Sequence, residues 1–353
     1  PLERADGHAR LIVEADPLGN LTRYSYDKRG DLIRVVNARG YTTTYTYDGE
    51  RRVTQMTDAE GGVTRYLYDE AGRQVGVVNT RGYTTTYEYD DAGRRTAEID
   101  PLGNRTAYEY DRMARVTKQT DPRLNVTTFE YDDAGNLLET VDALNYPTKH
   151  TYNEAGKRVT TLHPDGGQIA YSYDENDRLT TMIDQLGGVW RHGYNELGLE
   201  ITRTNALSYP TTFGYDENRN VITETDALGY AVSYTYDAEN RRTSKTVHAT
   251  GATWRYEYDA LGRLVRETDP LSGTTEYAYD AVGNTVAITD AMGGVTRYEY
   301  DGLDRRTALV DALGQRTEYA YDSEGNLIAE HICRDRGCTS KYTKRYAYDA
   351  ANR

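Results

Sequence analysis

In RTAYEY (105–110) and VTRYEY (295–300), large aromatic residues alternate with polar or charged ones. A period of two is the period of an extended strand, so both tyrosines of a stretch share one face while residues such as Arg297 and Glu299 take the other. The pattern recurs along the whole chain. Its second tyrosine stands at Tyr26, Tyr47, Tyr68, Tyr89 and Tyr110, and onward in steps of 21 to Tyr236. One step of 22 leads to Tyr258, steps of 21 to Tyr279, Tyr300 and Tyr321, and a final step of 27 to Tyr348, making 16 copies. The next residue is Asp in all but two, where Asn153 and Asn195 stand instead.

Two turn signals punctuate each copy. The first is the Asp after the tyrosine, two variable residues, then Gly, as in Asp90–Gly93 and Asp259–Gly262. The fourth place is Gly in nine copies and Asp177, Asn240, Asp304 or Asn352 in four more. These residue types tolerate a left-handed backbone, and the leading Asp can accept bonds from the turn's own N–H groups. The second signal lies about ten residues before the next tyrosine, as in Asp100-Pro101-Leu102-Gly103 or Asn37-Ala38-Arg39-Gly40. Between the turns is room for two short strands. Each unit therefore reads as one hairpin, about 32 strands in all, with helices nearly absent.

One hairpin is marginal in water, but hairpins stacked in register sum nearest-neighbour contacts. About 32 strands at ~4.8 Å make a sheet roughly 150 Å across, which cannot stay flat. The expected fold is all-β: a long antiparallel sheet of about 16 stacked 21-residue hairpins, coiled into a curved or hollow shell segment. A single coil of that width would enclose a space on the order of 50 Å across. Residues 1–353 are expected to form one array, with an insertion at about 331–343.

Composition alters the picture of the core. Leu, Ile, Val and Phe make up about a sixth of the chain, less than an ordinary core needs. There are, however, 34 Tyr and 32 periodically placed Gly, so tyrosine is expected to replace leucine. The formal net charge is −14, which disfavours a phosphate backbone as partner. The recurring arginines, nearly always beside Asp or Glu, read as a solvated mixed surface. No apolar run is long enough to span a membrane as a helix, and no targeting signal is visible.

Candidate chemistry is thin. The repeated carboxylates are equivalent by register and are explained by turns, which argues against a catalytic pair. The calcium-binding repeat and loop patterns do not appear. His150, His192, His163 and His248 each substitute a motif position. No cofactor, metal or catalytic residue is assigned. Asn20, Asn104 and Asn125 match the glycosylation acceptor pattern. Cys333 and Cys338, in CRDRGC, can close a small loop or stay reduced.

A structural role is assigned to Tyr26 and Asp27, Tyr47 and Asp48, Tyr68 and Asp69, Tyr89 and Asp90, and Tyr110 and Asp111. The same holds for Tyr258 and Asp259, Tyr279 and Asp280, Tyr300 and Asp301, and Tyr321 and Asp322. Gly93, Asp100, Gly103 and Gly262 complete the turns. The unit GRLVRETDPLSGTTEYAYDAVGN (262–284) closely resembles the YD repeat of the Rhs family, which includes bacterial polymorphic toxins, the C component of insecticidal toxin complexes and teneurins. That resemblance implies a spiralling β-shell enclosing a C-terminal toxin domain. Its partners would be that cargo, neighbouring shell repeats of the same polypeptide and a secretion apparatus. The host would be a bacterial effector made in the cytoplasm and exported. The family's self-cleaving core and variable toxin tail are not found among these residues, so no catalytic residue carries over. The alternative is an extracellular adhesion or carbohydrate-binding array of the teneurin type.

Overall fold

Tyr, Thr and Val suit a pleated, half-buried surface and fill the strands; Gly, Asp and Asn fill the gaps. The computed structural model describes residues 2–5, 8–335 and 338–353, with side chains from residue 10 onward. Arg336 and Gly337, inside the expected insertion, lie outside the described residues, as does residue 1 of the expected array. The described elements are 34 strands, with no helix among them. No helix is therefore long and apolar enough to cross a membrane.

The hairpin formed by β4 (Leu21–Tyr26) and β5 (Leu32–Val36) represents the rest. They pair antiparallel, with Tyr24 opposite Val35, and the register shifts between Ser25 and Tyr26 so that Tyr26 faces Leu32. This bulge leaves one extra residue on β5. The next strand, β6 (Thr42–Tyr47), pairs with β5 only over Arg34–Val36. The ladder between hairpins is thus shorter than the ladder within one. The tyrosine strand keeps the alternation seen in sequence: Tyr24 and Tyr26 are half-buried, Arg23 and Ser25 exposed.

All sixteen fourth positions of the first turn have positive φ. Nine are glycines and four are the expected Asp or Asn residues; the others are Arg51, Ala114 and Arg219, at 66°, 61° and 68°. The turn bonds hold these three in a conformation that their side chains disfavour.

The chain divides into two compact units. Unit 1 comprises Pro1–Tyr89, Glu98–Asn104 and Tyr256–Arg353. It opens with a separate two-stranded sheet, β1 (Leu2–Ala5) with β2 (His8–Leu11). It closes with β33 (Leu327–Cys333) paired to β34 (Lys341–Arg345) across the insertion. Unit 2 comprises Asp90–Ala97 and Arg105–Arg255. From β12 (Arg105–Tyr110) to β25 (Arg242–Val247) each of its strands pairs with the next.

Neither unit has a conventional core. Among the described residues the buried apolar ones are Ala97, Ala308, Ala329 and Cys333. Tyrosine does replace leucine, but as a half-buried layer on a sheet rather than as an enclosed interior.

Candidate functional site: the tyrosine–aspartate spine and a seam

Asp90 shows how a repeat is joined to the next. Its Oδ1 accepts the Ala92 and Arg94 N–H groups at 3.0 and 2.9 Å, which closes the turn. Its Oδ2 accepts Arg94 Nε at 2.7 Å. The Arg94 guanidinium lies over the Tyr110 ring, 5.1 Å from its centroid, and donates to the Asp111 carbonyl at 2.7 Å. Tyr110 in turn donates its hydroxyl to the Arg95 carbonyl at 2.6 Å. In unit 1 the same relay joins Asp301, Arg305, Tyr321 and Asp322, with the guanidinium 5.0 Å from the ring.

Electrostatics act on individual members of this spine. The Arg94 backbone N–H leads in holding the Asp90 carboxyl below its usual range, helped by the Arg94 guanidinium and opposed by partial burial. Burial pushes the Tyr300 and Tyr321 hydroxyls up. The ionised carboxyl of Asp90 and the neutral hydroxyls of Tyr300 and Tyr321 are therefore the forms favoured at neutral pH. Where Arg is lacking, Asn takes its place: the Asn136 and Asn284 amides reach the same oxygen of Asp132 and Asp280 at 2.8 and 3.0 Å.

Reading the arginines as a solvated surface is corrected here. Arg52, Arg73, Arg94, Arg115, Arg178, Arg263 and Arg305 all stand five residues after a motif tyrosine and stack on the next one. That constant offset was the available signal. Asn20, Asn104 and Asn125 serve the second turns likewise, donating to Asp16, Asp100 and Asp121.

Unit 1 also contains a seam between stretches far apart in sequence. Arg39, at the tip of a second turn, donates to Asp304 Oδ1 at 2.7 Å and to the Tyr300 carbonyl at 2.9 Å, and lies 3.5 Å from Asp280. Arg81, two repeats later in the same Asn-x-Arg-Gly-Tyr setting, donates to Asn352 Oδ1 at 3.0 Å and the Asp349 carbonyl at 2.9 Å. It also lies 3.4 Å from Asp322. Both guanidiniums rest on the tyrosine that ends their own turn, Tyr41 and Tyr83. Between them Glu60 accepts the Gly302 N–H at 2.6 Å, and Glu324 accepts the Thr80 N–H at 2.7 Å and its hydroxyl. The Arg39 side chain is 14% exposed, whereas Leu186, Leu271, Met292 and Leu313, at the same turn position in other repeats, are at least 90% exposed.

Two further features bear on chemistry. Cys333 and Cys338 are joined in a disulfide, with Glu318 beside them; sulfurs so bonded are not thiolate ligands. In unit 2 a groove of about 430 Å³ is lined by Tyr209, Pro210 and Leu228 among others.

The RHS Repeat family matches over eleven stretches, beginning at 26–63 and 68–105 and running to 279–316. The chain belongs to the RHS repeat family. No curated protein sequence matches it. Solved structures similar in fold include TcdB2-TccC3-TEV, at TM-score 0.73 and 15% identity over 94% of this chain and 22% of that one. TcdB2-TccC3-Cdc42 follows at 0.62 and 18%, over 94% and 23%. The Photorhabdus luminescens Tc holotoxin pore gives 0.56 and 15%, over 94% and 24%. The RHS chain thus spans less than a quarter of these neighbours, and at such identities the likeness is one of fold.

Proposed function

We propose that this RHS ribbon is a length of wall in a toxin-enclosing shell and performs no catalysis itself. The observation that carries the reading is the seam. Arg39 and Arg81 tie one edge of the ribbon to an opposite edge more than 260 residues away, which is how a sheet is sealed against itself. The motif tyrosines, aspartates and turn glycines would serve only to hold successive hairpins together, and residues 1–353 would act as one array. Its partners would be the repeats that flank it and a toxin domain carried on the same polypeptide, exported from a bacterium.

Electron microscopy of the purified chain tests this. A curved or hollow sheet is expected, and a straight, filled rod would overturn it. A compact domain fused after Arg353 should also resist protease that digests it when free.

A second reading, recognition of carbohydrate by the outer surface, is favoured by the groove lined by the exposed Tyr209. Binding to a glycan array that is lost in Tyr209→Ala would support it over the container.

A further inference from the structure

The two sockets that hold the seam arginines share a construction. In the first, Asn284 donates its amide both to Asp280, at 3.0 Å, and to Asp304 Oδ1, at 2.8 Å. In the second, Asn326 donates to Asp322 at 2.9 Å and to Asn352 Oδ1 at 3.0 Å. Each socket thus offers a motif carboxylate, an oriented side-chain oxygen on the left-handed fourth residue of the next repeat, and a motif backbone carbonyl. The Asn amide orients both side-chain oxygens independently of the arginine, which lowers the ordering cost of binding.

The same triad occurs a third time, in unit 2. Asn220 donates to Asp216 at 3.0 Å and to Asn240 Oδ1 at 2.7 Å. Asn240 has the left-handed φ of 61°, close to the 60° and 62° of Asp304 and Asn352, and is exposed. The Tyr236 and Asp237 carbonyls hold the places of those that receive Arg39 and Arg81. The arrangement is not a by-product of every repeat with asparagine, because Asn136 meets Gly156, which has no side-chain oxygen. Among the described residues no arginine bonds to Asn240.

We infer that Asp216, Asn220 and Asn240 form a third docking socket, built to receive an arginine-tipped Asn-x-Arg-Gly-Tyr turn of a YD ribbon. Continuity with the seam names the occupant. Arg39 and Asp304 are 265 residues apart, and Arg81 and Asn352 are 271 apart. The extra six residues are those of the long last repeat. The seam therefore keeps one register when counted in repeats. Asn240 stands three repeats before Asp304, so in the same register its occupant would be a YD turn three repeats upstream of the Asn37–Tyr41 position. The inference rests on the seam alone and holds whether or not the ribbon encloses anything.

The test is a fluorescent, cyclised hairpin peptide of residues 32–47, carrying the Arg39 turn, titrated against the whole chain. Binding is read by anisotropy and located by amide exchange. A Kd between about 10 µM and 1 mM is expected for one charge-assisted turn contact, with slowed exchange at 236–240. Asn240→Gly, which installs the residue that nine repeats already carry there, should weaken binding about tenfold or more without unfolding the turn. Asn240→Asp should restore or strengthen it, and a peptide with Arg39→Ala should not bind. Equal affinity for Asn240→Gly, equal affinity of the Ala peptide, or no binding at about 1 mM would each overturn the socket. Self-association of the unmodified chain that Asn240→Gly abolishes would support the socket with a second copy as the source of the turn.

Discussion

The Tyr47 hydroxyl donates to the carbonyl oxygen of Leu32 at 2.7 Å, across fifteen residues of sequence. Leu32 lies just beyond the last ladder pair between β5 and β6. The bond therefore satisfies a carbonyl that the shortened ladder leaves over, and it does so with the motif tyrosine of the next repeat. Tyr68 with Val53, Tyr152 with Leu137 and Tyr279 with Leu264 repeat the contact.

Tyr47→Phe removes that donor and keeps the ring. The expected cost is about 1 kcal/mol, seen as faster amide exchange around 32–36 and 42–47. Exchange unchanged from the native chain would show that the hydroxyl adds nothing to the ring's packing.

Gly302 tests the seam. A Cβ placed there would lie 2.6 Å from the Tyr41 ring and 2.7 Å from Glu60 Oε1, whereas one at Gly49, the same place in an earlier repeat, meets nothing within 4 Å. Gly302→Ala should cost about 1–3 kcal/mol and loosen both 37–41 and 300–304 in amide exchange. Gly49→Ala should do neither, and similar behaviour of the two variants would refute the close approach.

Turn strain gives a prediction in two directions. Gly93 has a φ of 80° with open space around it, so Gly93→Val should cost about 1–2 kcal/mol from backbone strain. Ala114, at 61°, already bears such strain. Ala114→Gly should therefore raise stability by up to about 1 kcal/mol. Thermal melts of the two variants moving the same way would contradict the shared left-handed turn.

Acid should loosen the array unevenly. Bonds from the backbone of Arg52, Arg94 and Arg115 lead in holding Asp48, Asp90 and Asp111 below their ordinary values. A carboxyl whose folded pKa is depressed contributes stability above its unfolded value, about 3.9, and loses it as pH falls through the folded value. Stability should thus be flat near neutrality and fall below about pH 4. The turns led by Asn153 and Asn195 make the same N–H bonds with an amide oxygen that does not titrate. Exchange at 153–157 and 195–199 should resist acid longer than at 90–94, and simultaneous loss would separate turn stability from carboxylate ionisation.

Much of this was legible because the period is short and its signals are local. Alternation placed Tyr108 and Tyr110 on one face, and glycine placed the left-handed turn at Gly93 and Gly262. Arg51, Ala114 and Arg219 hold the same turn through its hydrogen bonds, against their own preference, so residue type could not announce them. Arg94 was misread because proximity to Asp in sequence looks the same for a surface pair and for a relay to Tyr110. The meeting of Arg39 with Asp304 had no local signal at all: the repeat fixes each hairpin and says nothing of which distant hairpins meet.

The seam gives the number of repeats a meaning that the spine does not. Spine bonds ignore loop length: Tyr348 still reaches the Leu327 carbonyl, at a separation of 21 instead of 15. A hairpin gained or lost between Arg81 and Asp280 would leave every such bond intact. It would, however, present Arg39 with Gly283 or Gly325 where Asp304 belongs, and neither offers a side-chain oxygen. In this chain Arg39 and Arg81 act as a checksum on the number of hairpins between the two sides of the seam.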